Sequence, residues 1–248
     1  MSLLSVENLN LTLKNEDIIN GLSFEINEKG VYTILSRSAS ARTALAAILA
    51  GINAPDSGSV LYKDTDLFEK NGKGIKAKIG YLPKECFLYP EMTAYEALDF
   101  TGRMRGVGSD KRLRQIKEAL ELLELSHMSE VLVADMNNTE RKRLMLANAL
   151  IGNPSVIILD EPTEGAFSED FEIICDVISM LGEKKVVLLF TEKISLANDL
   201  SDYIGIISGG EMVLWSSLDN IRETLGGDSE ALSKTYVAFA YGDVGGAR

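Results

Sequence analysis

The chain has 248 residues, of which 46% are hydrophobic and 25% are charged, a composition typical of a globular protein with a large buried core. Its 37 acidic and 25 basic residues give a net charge of −12, which argues against nucleic acid or an anionic lipid surface as a direct partner. No apolar run approaches the roughly 18 residues of a membrane span, and two cysteines provide no disulfide framework.

The first predicted elements are short strands. Residues 3–34 alternate between apolar and polar side chains, and residues 23–27 have the period-two pattern of a half-buried strand. Residues 31–35 predict a second strand that is buried on both faces. This strand leads into an eight-residue loop and a predicted helix, which ends before Gly51.

The order of strand, eight-residue loop and helix is the layout of the phosphate-binding loop G-x-x-x-x-G-K-[ST]. Here the loop consists of Ser36, Arg37, Ser38, Ala39, Ser40, Ala41, Arg42 and Thr43. Only Thr43 matches the pattern, since Ser36 and Ala41 replace the glycines and Arg42 replaces the lysine. Glycine lets N–H groups converge on phosphate in conformations that cost other residues about 1 kcal/mol or more. We therefore expect weak phosphate binding or none.

Some attraction for an anion is nevertheless retained by this loop. Arginine keeps the positive charge of lysine, although its guanidinium is a rigid planar fork instead of a compact ammonium. Arg37 and Arg42 lie at a predicted helix N-terminus, where anions are favoured. The sequence therefore weakens the phosphate-site interpretation without removing it.

Helical patterns dominate the middle of the chain. Gly58 opens a predicted strand pair, whereas Thr93 and Glu96 match a capping box and predict the start of a helix. Further along, apolar residues recur at helical spacing, at Leu113, Ile116, Leu120 and Leu123.

A second candidate site follows the apolar run at residues 156–159. The run lies between Pro154 and Pro162, and its length is typical of a buried strand in a parallel sheet. Asp160 and Glu161 would lie at the carboxyl end of this strand, where open α/β sheets bind ligands. Paired carboxylates there suit the holding of Mg²⁺ and the activation of water at a phosphate. The alternative is an acidic turn after a buried strand.

The surrounding segment, RLMLANALIGNPSVIILDEPT at residues 143–163, resembles the signature helix and Walker B strand of ABC transporter ATP-binding subunits. The order of elements resembles that family over nearly the entire chain. This resemblance implies an α/β fold of the P-loop NTPase type, with an N-terminal antiparallel β-subdomain and an inserted helical subdomain. It divides the single domain 1–248 into an α/β core at 1–84 and 151–225, a helical subdomain at 85–150 and a C-terminal tail at 226–248.

The resemblance also implies ATP and Mg²⁺ as ligands. Thr43 and Asp160 would then hold Mg²⁺, and Glu161 would be the general base. Other family positions carry different residues here. Lys84 stands at the Q-loop glutamine, where a cation cannot coordinate a metal, and Glu192 stands at the switch histidine, where a carboxylate repels a triphosphate.

Three further family contacts differ in this sequence. Leu13 aligns with the adenine-stacking aromatic residue, and Phe167 aligns with the D-loop aspartate. The signature Leu-Ser-Gly-Gly-Gln aligns with Met136, Asn137, Asn138, Thr139 and Glu140. Asparagine and threonine obstruct the close backbone approach that glycine permits, and Glu140 adds a negative charge. Asn137 and Glu140 still match a helix-capping pair, so the helix is expected although the contacts are lost.

Loss of these contacts favours a degenerate ATP-binding subunit with weak or absent hydrolysis, a pseudo-ATPase. By resemblance its partners are a transmembrane ABC permease subunit and a second ATP-binding subunit, in a homodimer or heterodimer. Buried carboxylates without a metal need cationic partners. We therefore expect Arg42 and Lys84 to pair with Asp160, Glu161 or Glu192.

Two alternatives stay open at this point. One is an active ABC-type ATPase that drives transport with a conventional partner, and the other is a soluble interaction module outside transport. Residues 231–237 resemble the closing segment of exporter-type subunits, which favours an exporter. Without a signal peptide or membrane span, the chain is expected in the cytoplasm, peripheral on the inner face of the cell membrane and not inserted into it.

Overall fold

The computed structural model describes residues 2–85, 87–166, 169–225 and 230–241. From Gly30 onwards, strands alternate with helices, the pattern of an α/β protein. The strands are β1 (Leu4–Leu13), β2 (Glu16–Ile26), β3 (Gly30–Ser36), β4 (Ser57–Tyr62), β5 (Thr65–Asp66), β6 (Ile79–Leu82), β7 (Val156–Asp160), β8 (Val186–Thr191), β9 (Tyr203–Ser208) and β10 (Glu211–Ser217). The helices are α1 (Ala39–Leu49), α2 (Lys73–Lys76), α3 (Ala94–Met104), α4 (Ser109–Leu122), α5 (Asn138–Leu150), α6 (Glu169–Gly182), α7 (Ile194–Leu200), α8 (Leu218–Thr224) and α9 (Ala231–Tyr241).

The described residues include a six-stranded main sheet in the order β10-β9-β3-β8-β7-β6. Neighbouring strands from β9 to β6 are parallel, and β10 pairs antiparallel with β9. Every residue of β3, β7 and β8 is buried, which confirms the predicted buried strands at residues 31–35 and 156–159. Because these strands are parallel neighbours, the segments after Ser36, Asp160 and Thr191 meet at one edge of the sheet.

A second, antiparallel sheet is formed near the N-terminus in the order β2-β1-β4-β5. Leu45 and Ile48 of α1 share an apolar cluster with Leu4 of β1 and Ile34 of β3. Helix α1 therefore packs between the two sheets, which fixes the loop that precedes it. This arrangement confirms the predicted fold class, including the antiparallel β-subdomain.

Helices α3, α4 and α5 contact one another, and α5 and α6 pack against the other face of the main sheet. Ile116 and Leu120 of α4 lie in one apolar cluster with Leu159 of β7, whereas Leu113 is exposed. The division into a core and a helical subdomain at 85–150 stays a prediction, because this cluster spans both. Of the predicted tail, residues 226–229 and 242–248 lie outside the described residues.

Predicted helix boundaries are confirmed at several caps. Thr93 and Glu96 form a complete capping box at the start of α3. Gly51, just after α1, has a φ of 72°, the left-handed conformation that a residue without a Cβ adopts at low cost. Within the described ranges, no helix combines the length and apolarity that a membrane crossing requires.

Close packing of α5 against the main sheet depends on Gly80 of β6. A Cβ at this position would collide with the backbone carbonyl oxygen of Ala149. We expect Gly80→Ala to lower the free energy of unfolding by about 1–3 kcal/mol, since overpacking forces the backbone to shift. Urea denaturation measures this, with Gly74→Ala as control because no atom lies within 4 Å of that added Cβ. Equal stability of the two variants would contradict the expectation.

Candidate functional site

The loop between β3 and α1 is closed by its own serines. Ser38 is the N-cap of α1, and its Oγ accepts a hydrogen bond of 3.1 Å from the N–H of Ala41. The N–H of Ser38 donates to Ser36 Oγ at 3.2 Å. No residue from 36 to 43, all of which are described, has a positive φ. The loop therefore lacks the alternation of right- and left-handed residues that forms an anion-binding nest of N–H groups.

Arg42 is buried beneath this loop, with 2% of its surface exposed. One guanidinium nitrogen, Nη1, donates to the carbonyl oxygen of Ser36. The other, Nη2, lies 3.0 Å from Glu161 Oε1 and 3.5 Å from Glu192 Oε2. The structure thus confirms the predicted pairing of Arg42 with these acids.

The acid pair after β7 is held by hydroxyl and backbone donors. Thr43 Oγ1 donates to Asp160 Oδ2 at 2.7 Å, whereas the buried Oδ1 of Asp160 has no hydrogen-bond partner among the described residues. Glu161 accepts from Thr191 Oγ1 at 2.9 Å and from the N–H of Glu192 at 3.0 Å. With Arg42, Glu161 therefore has three donors and both of its oxygens are engaged.

Glu161 also has an unusual backbone conformation. Its φ is 48°, in the left-handed region that costs a residue with a side chain roughly 1 kcal/mol or more. The donors on its carboxylate hold this conformation, which turns the side chain toward Arg42 and Thr191. The local strain is thus maintained by the surrounding ion pair and hydrogen bonds.

Lys84 has a different partner from the one we predicted. Its Nζ lies 3.2 Å from Glu164 Oε1, so the expectation that it pairs with one of the acids at 160, 161 or 192 was wrong. Glu164 lies in the turn after β7, and both side chains are partly exposed, so this pair forms nearer the surface. The charge of Lys84 still acts on Asp160, because it is among the groups that lower the pKa of that carboxyl.

The segment aligned with the signature forms the N-terminus of α5. Asn137 is the N-cap and accepts from the N–H groups of Thr139 and Glu140, while the Glu140 carboxylate accepts from the N–H of Asn137. This capping box confirms the predicted helix start. Thr139 Oγ1 donates to the carbonyl of Gly165 at 3.4 Å, and this hydrogen bond joins the start of α5 to the turn after Glu161.

Two other aligned positions have different outcomes. Leu13, aligned with the adenine-stacking aromatic residue, ends β1 and is 44% exposed. Phe167, aligned with the D-loop aspartate, lies outside the described residues.

Sequence reasoning missed several contributors to the site. Thr191 ends β8 and donates to Glu161, and its position directly before Glu192 was the available signal. Lys142, one turn into α5, donates to the carbonyl of Lys84 at 2.9 Å and lowers the pKa of Asp160. No sequence pattern pointed to Lys142, because only the packing of α5 against the sheet brings it there.

Burial raises the pKa of the Asp160 carboxyl above its usual value. The hydrogen bond from Thr43 and the charges of Arg42, Lys84 and Lys142 offset this only in part. Ionised Asp160 therefore destabilises the folded state. Stability falls as pH rises from the unfolded pKa, about 3.9, through the higher pKa of the folded protein, because the folded state binds this proton more tightly.

We expect Asp160→Asn to remove this decrease and to raise the free energy of unfolding at pH 7. Asparagine keeps an oxygen that accepts from Thr43 and carries no charge. Urea denaturation between pH 4 and 8 measures the change, with the 88% exposed Asp219→Asn as control. A variant less stable than the wild type at pH 7 would show that ionised Asp160 stabilises the fold.

The fold and this edge of the sheet define a P-loop NTPase-type α/β protein. The family model described as ABC transporter matches residues 19–164, more than half of the chain. The chain therefore belongs to the ABC transporter family, in the class of its ATP-binding subunits.

Individual relatives cover most of the chain. The linearmycin resistance ATP-binding protein LnrL of Bacillus subtilis is 27% identical over 92% of this chain and 73% of its own length. The molybdate/tungstate import ATP-binding protein WtpC of Methanocaldococcus jannaschii is 32% identical over 89% of this chain and 73% of its own. A solved structure, the dimeric post-hydrolysis state of the ATP-binding cassette MJ0796 bound to ADP and Pi, matches with a TM-score of 0.79 and 22% identity. It covers 87% of this chain and 98% of that one, and shows the fold.

Proposed function

We propose that this chain is a degenerate ATP-binding subunit of an ABC transporter, in which ATP hydrolysis is weak or absent. The observation that carries the proposal is the buried ion pair of 3.0 Å between Arg42 and Glu161. A general base must reach the proton that it abstracts from water. Both oxygens of Glu161 are occupied by protein donors, so this carboxylate serves the fold instead of the reaction.

The residues around the loop do not fit a triphosphate. The N–H groups of Ser38 and Ala41 have serine partners, and Arg42 is directed to Glu161 and the Ser36 carbonyl. A cavity of about 340 Å³ beside the loop is lined by Glu16 and Asp17, by Arg37 and by the loop serines, so two carboxylates face one guanidinium there. Carboxylates in that cavity repel a polyanion.

One feature favours an active ATPase as the second candidate. Thr43 and Asp160 are in contact at 2.7 Å, and the buried Asp160 Oδ1 lacks a hydrogen-bond partner among the described residues. A hydroxyl and a carboxylate oxygen at this place fit two ligands of Mg²⁺, an ion that keeps several waters and accepts one or two carboxylates. This pair of side chains fits the metal alone, because the Thr43 hydroxyl donates to Asp160 and the carboxylate cannot donate to a phosphate.

Calorimetric titration of Mg-ATP into the purified chain tests the proposal. We expect no saturable heat at nucleotide concentrations up to about 1 mM, since a site without converging N–H groups lacks most of its charge-assisted hydrogen bonds. Micromolar binding together with Mg-ATP turnover that Glu161→Gln abolishes would instead establish the active enzyme.

The roles of the other aligned residues belong to the same proposal. Lys84 and Glu192 replace the Q-loop glutamine and the switch histidine, and each now takes part in an ion pair. Residues 137–140 replace the signature and serve as the cap of α5. The division at residues 84–85 and 150–151 into a core and a helical subdomain is also part of the proposal, and it is supported by membership of the ABC transporter family.

The proposed partner is a transmembrane permease subunit, docked on the helical region. Large apolar side chains are exposed there, among them Phe87 and Met104, each 73% exposed. Tyr89 and Phe100 extend this surface and contact each other edge to face, with ring centroids 5.8 Å apart. Exposed apolar surface of this kind is typical of a protein–protein contact.

Substitution of these side chains tests the docking. We expect Phe87→Ser/Met104→Ser to reduce co-purification with the permease subunit at least about tenfold, because large apolar side chains dominate the free energy of such contacts. Ile52→Ser, at a 63% exposed position outside the helical region, is the matched control. Equal loss in the control would contradict a contact specific to the helical region.

Assembly, direction and location complete the proposal. A dimer with a second ATP-binding subunit is supported by the dimeric MJ0796 structure, which shares this fold. Export is supported by the resistance name of LnrL, whereas WtpC is named for import, and a transport assay with the permease decides between them. Docking on a permease would place the chain in the cytoplasm at the inner membrane face.

A further inference from the structure

A cavity of about 570 Å³ lies at the edge of the main sheet opposite the candidate site. Apolar side chains from both sheets form part of its wall, among them Tyr62 of β4, Val156 of β7 and Val186 of β8. Its volume is in the range of small-molecule pockets, roughly 300–1,000 Å³. The cavity is large enough for a ligand of its own.

This cavity is separate from the Arg42–Glu161 site. Val156, which lines it, begins β7, whereas Asp160 ends the same strand. Four residues of a strand span about 13 Å, at ~3.3 Å per residue. A ligand of modest size in the cavity would therefore not contact the loop at residues 36–43.

The charge around the cavity is opposite to that of the chain. Among the described residues that line it there is no aspartate or glutamate, although the chain has 37 acids and 25 bases. Glu28, Asp64 and Glu183 each neighbour a lining lysine in sequence but do not line the cavity. The lining lysines are Lys29, Lys63, Lys78, Lys184 and Lys185.

Most of these ammonium groups have no partner in the described part of the protein. Lys185 is the exception, and its Nζ donates to Asn153 Oδ1 at 2.7 Å and to the Pro154 carbonyl at 2.5 Å. The side chains of the other four form no ion pair or hydrogen bond with a described residue. A cluster of unneutralised cations on an acidic protein favours an anion at this place.

The backbone presents one of these lysines in a fixed position. Lys63 and Asp64 form the two-residue turn between β4 and β5, with φ values of 46° and 61°. Positive φ at both residues is the type I′ hairpin geometry, in which the strands fix the turn. The N–H of Lys63 also donates to the Leu3 carbonyl at 3.3 Å. Binding of a ligand would therefore require little further ordering of the backbone at this turn.

We propose that this cavity binds a small organic anion with an apolar body, such as a carboxylate, sulfonate or phosphate attached to a hydrocarbon or aromatic group. The apolar wall removes the body from water, and the lysines neutralise the charged head. A neutral ligand would leave the lysines unpaired, and a cation would be repelled by them. The chemistry of the lining thus selects the ligand class.

Two matched fluorescent probes test this ligand class. 8-Anilinonaphthalene-1-sulfonate carries the anionic head, and N-phenyl-1-naphthylamine is the same body without it. We expect saturable 1:1 binding of the sulfonate, at least about tenfold tighter than that of the neutral probe, and displacement of the sulfonate by dodecanoate. Equal affinity for the two probes would overturn the proposal, as would binding to phosphatidylglycerol vesicles without binding of the free sulfonate.

Variants locate the binding site. We expect Lys63→Gln/Lys184→Gln to raise the Kd for the sulfonate probe about tenfold, since each exposed lysine contributes modestly. Lys14→Gln/Lys111→Gln makes the same change of net charge at exposed positions outside the cavity and should leave the Kd unchanged. Thr65→Trp, which fills the cavity from β5, should abolish binding.

The variants also define the contradictory result. Cooperative urea unfolding of each variant verifies that the variant is folded, so that the probe binds the cavity and not the exposed apolar surface of a partly unfolded protein. An unchanged Kd in the folded Lys63→Gln/Lys184→Gln and Thr65→Trp variants would place the probe elsewhere and overturn the assignment.

Discussion

Arg42→Met is expected to lower the free energy of unfolding by about 3–5 kcal/mol, because it leaves the carboxylate of Glu161 buried without its charge partner. Arg42 and Glu161 are both buried, with side-chain exposures of 2% and 5%, so water cannot replace the lost guanidinium. A loss of this size is a large part of the roughly 5–15 kcal/mol that stabilises a typical domain. Urea denaturation at pH 7 measures it.

A control and a double variant separate this ion pair from general effects of arginine loss. Arg103→Met removes a 68% exposed guanidinium from Asp99, which keeps Arg112 as a partner, so we expect a loss of at most about 1 kcal/mol. Arg42→Met/Glu161→Gln removes both charges, and the glutamine can still accept from Thr191. We expect this double variant to recover most of the lost stability.

With the single variant Glu161→Gln, the wild type, Arg42→Met and the double variant form a double-mutant cycle, which gives the coupling free energy of the pair. A large coupling would mean that Arg42 compensates the buried negative charge of Glu161. A coupling near zero would contradict that interpretation and would weaken the proposal that the site has become structural.

The second large effect is a gain of nucleotide binding. We expect Ser36→Gly/Ala41→Gly/Arg42→Lys, which writes G-x-x-x-x-G-K-T into the loop, to tighten Mg-ATP binding at least about a hundredfold. The change removes the Ser36 hydroxyl that accepts the N–H of Ser38 and frees the backbone for left-handed conformations. It also replaces a planar guanidinium with an ammonium that reaches phosphates as a point charge.

Calorimetry with Mg-ATP measures this gain, and Ser40→Ala is its control. The Ser40 hydroxyl interacts with Ser38 Oγ at 2.9 Å, and its loss releases no backbone N–H, so we expect no gain. If the triple variant stays folded but binds Mg-ATP no better than the wild type, the loop sequence is not the cause of the weak nucleotide binding. Micromolar binding by the wild type would show that serine-capped loops still hold phosphates.

Much of this protein could be predicted from its sequence. The apolar runs at residues 31–35 and 156–159 were recognisable as buried strands because every position in them is apolar or small. The capping boxes at Thr93 and Asn137 marked the starts of α3 and α5, since their hydrogen bonds join residues only three apart. Arg42 and Glu161, 119 positions apart, could be paired because two parallel strands end at the same edge.

Other features were decided by the tertiary structure. Lys84 pairs with Glu164 instead of the predicted acids, because the turn after β7 brings Glu164 to it. Lys142 lies near Asp160 through the packing of α5 on the sheet. The lysine-lined cavity combines residues from Leu3 to Val186, which no local pattern connects. The sequence by itself determined the elements, their caps and the residues at strand ends, since these depend on periodicity and short-range hydrogen bonds. Only the tertiary structure decided the partners of long charged side chains, because their flexible stems reach several acids and packing selects among them.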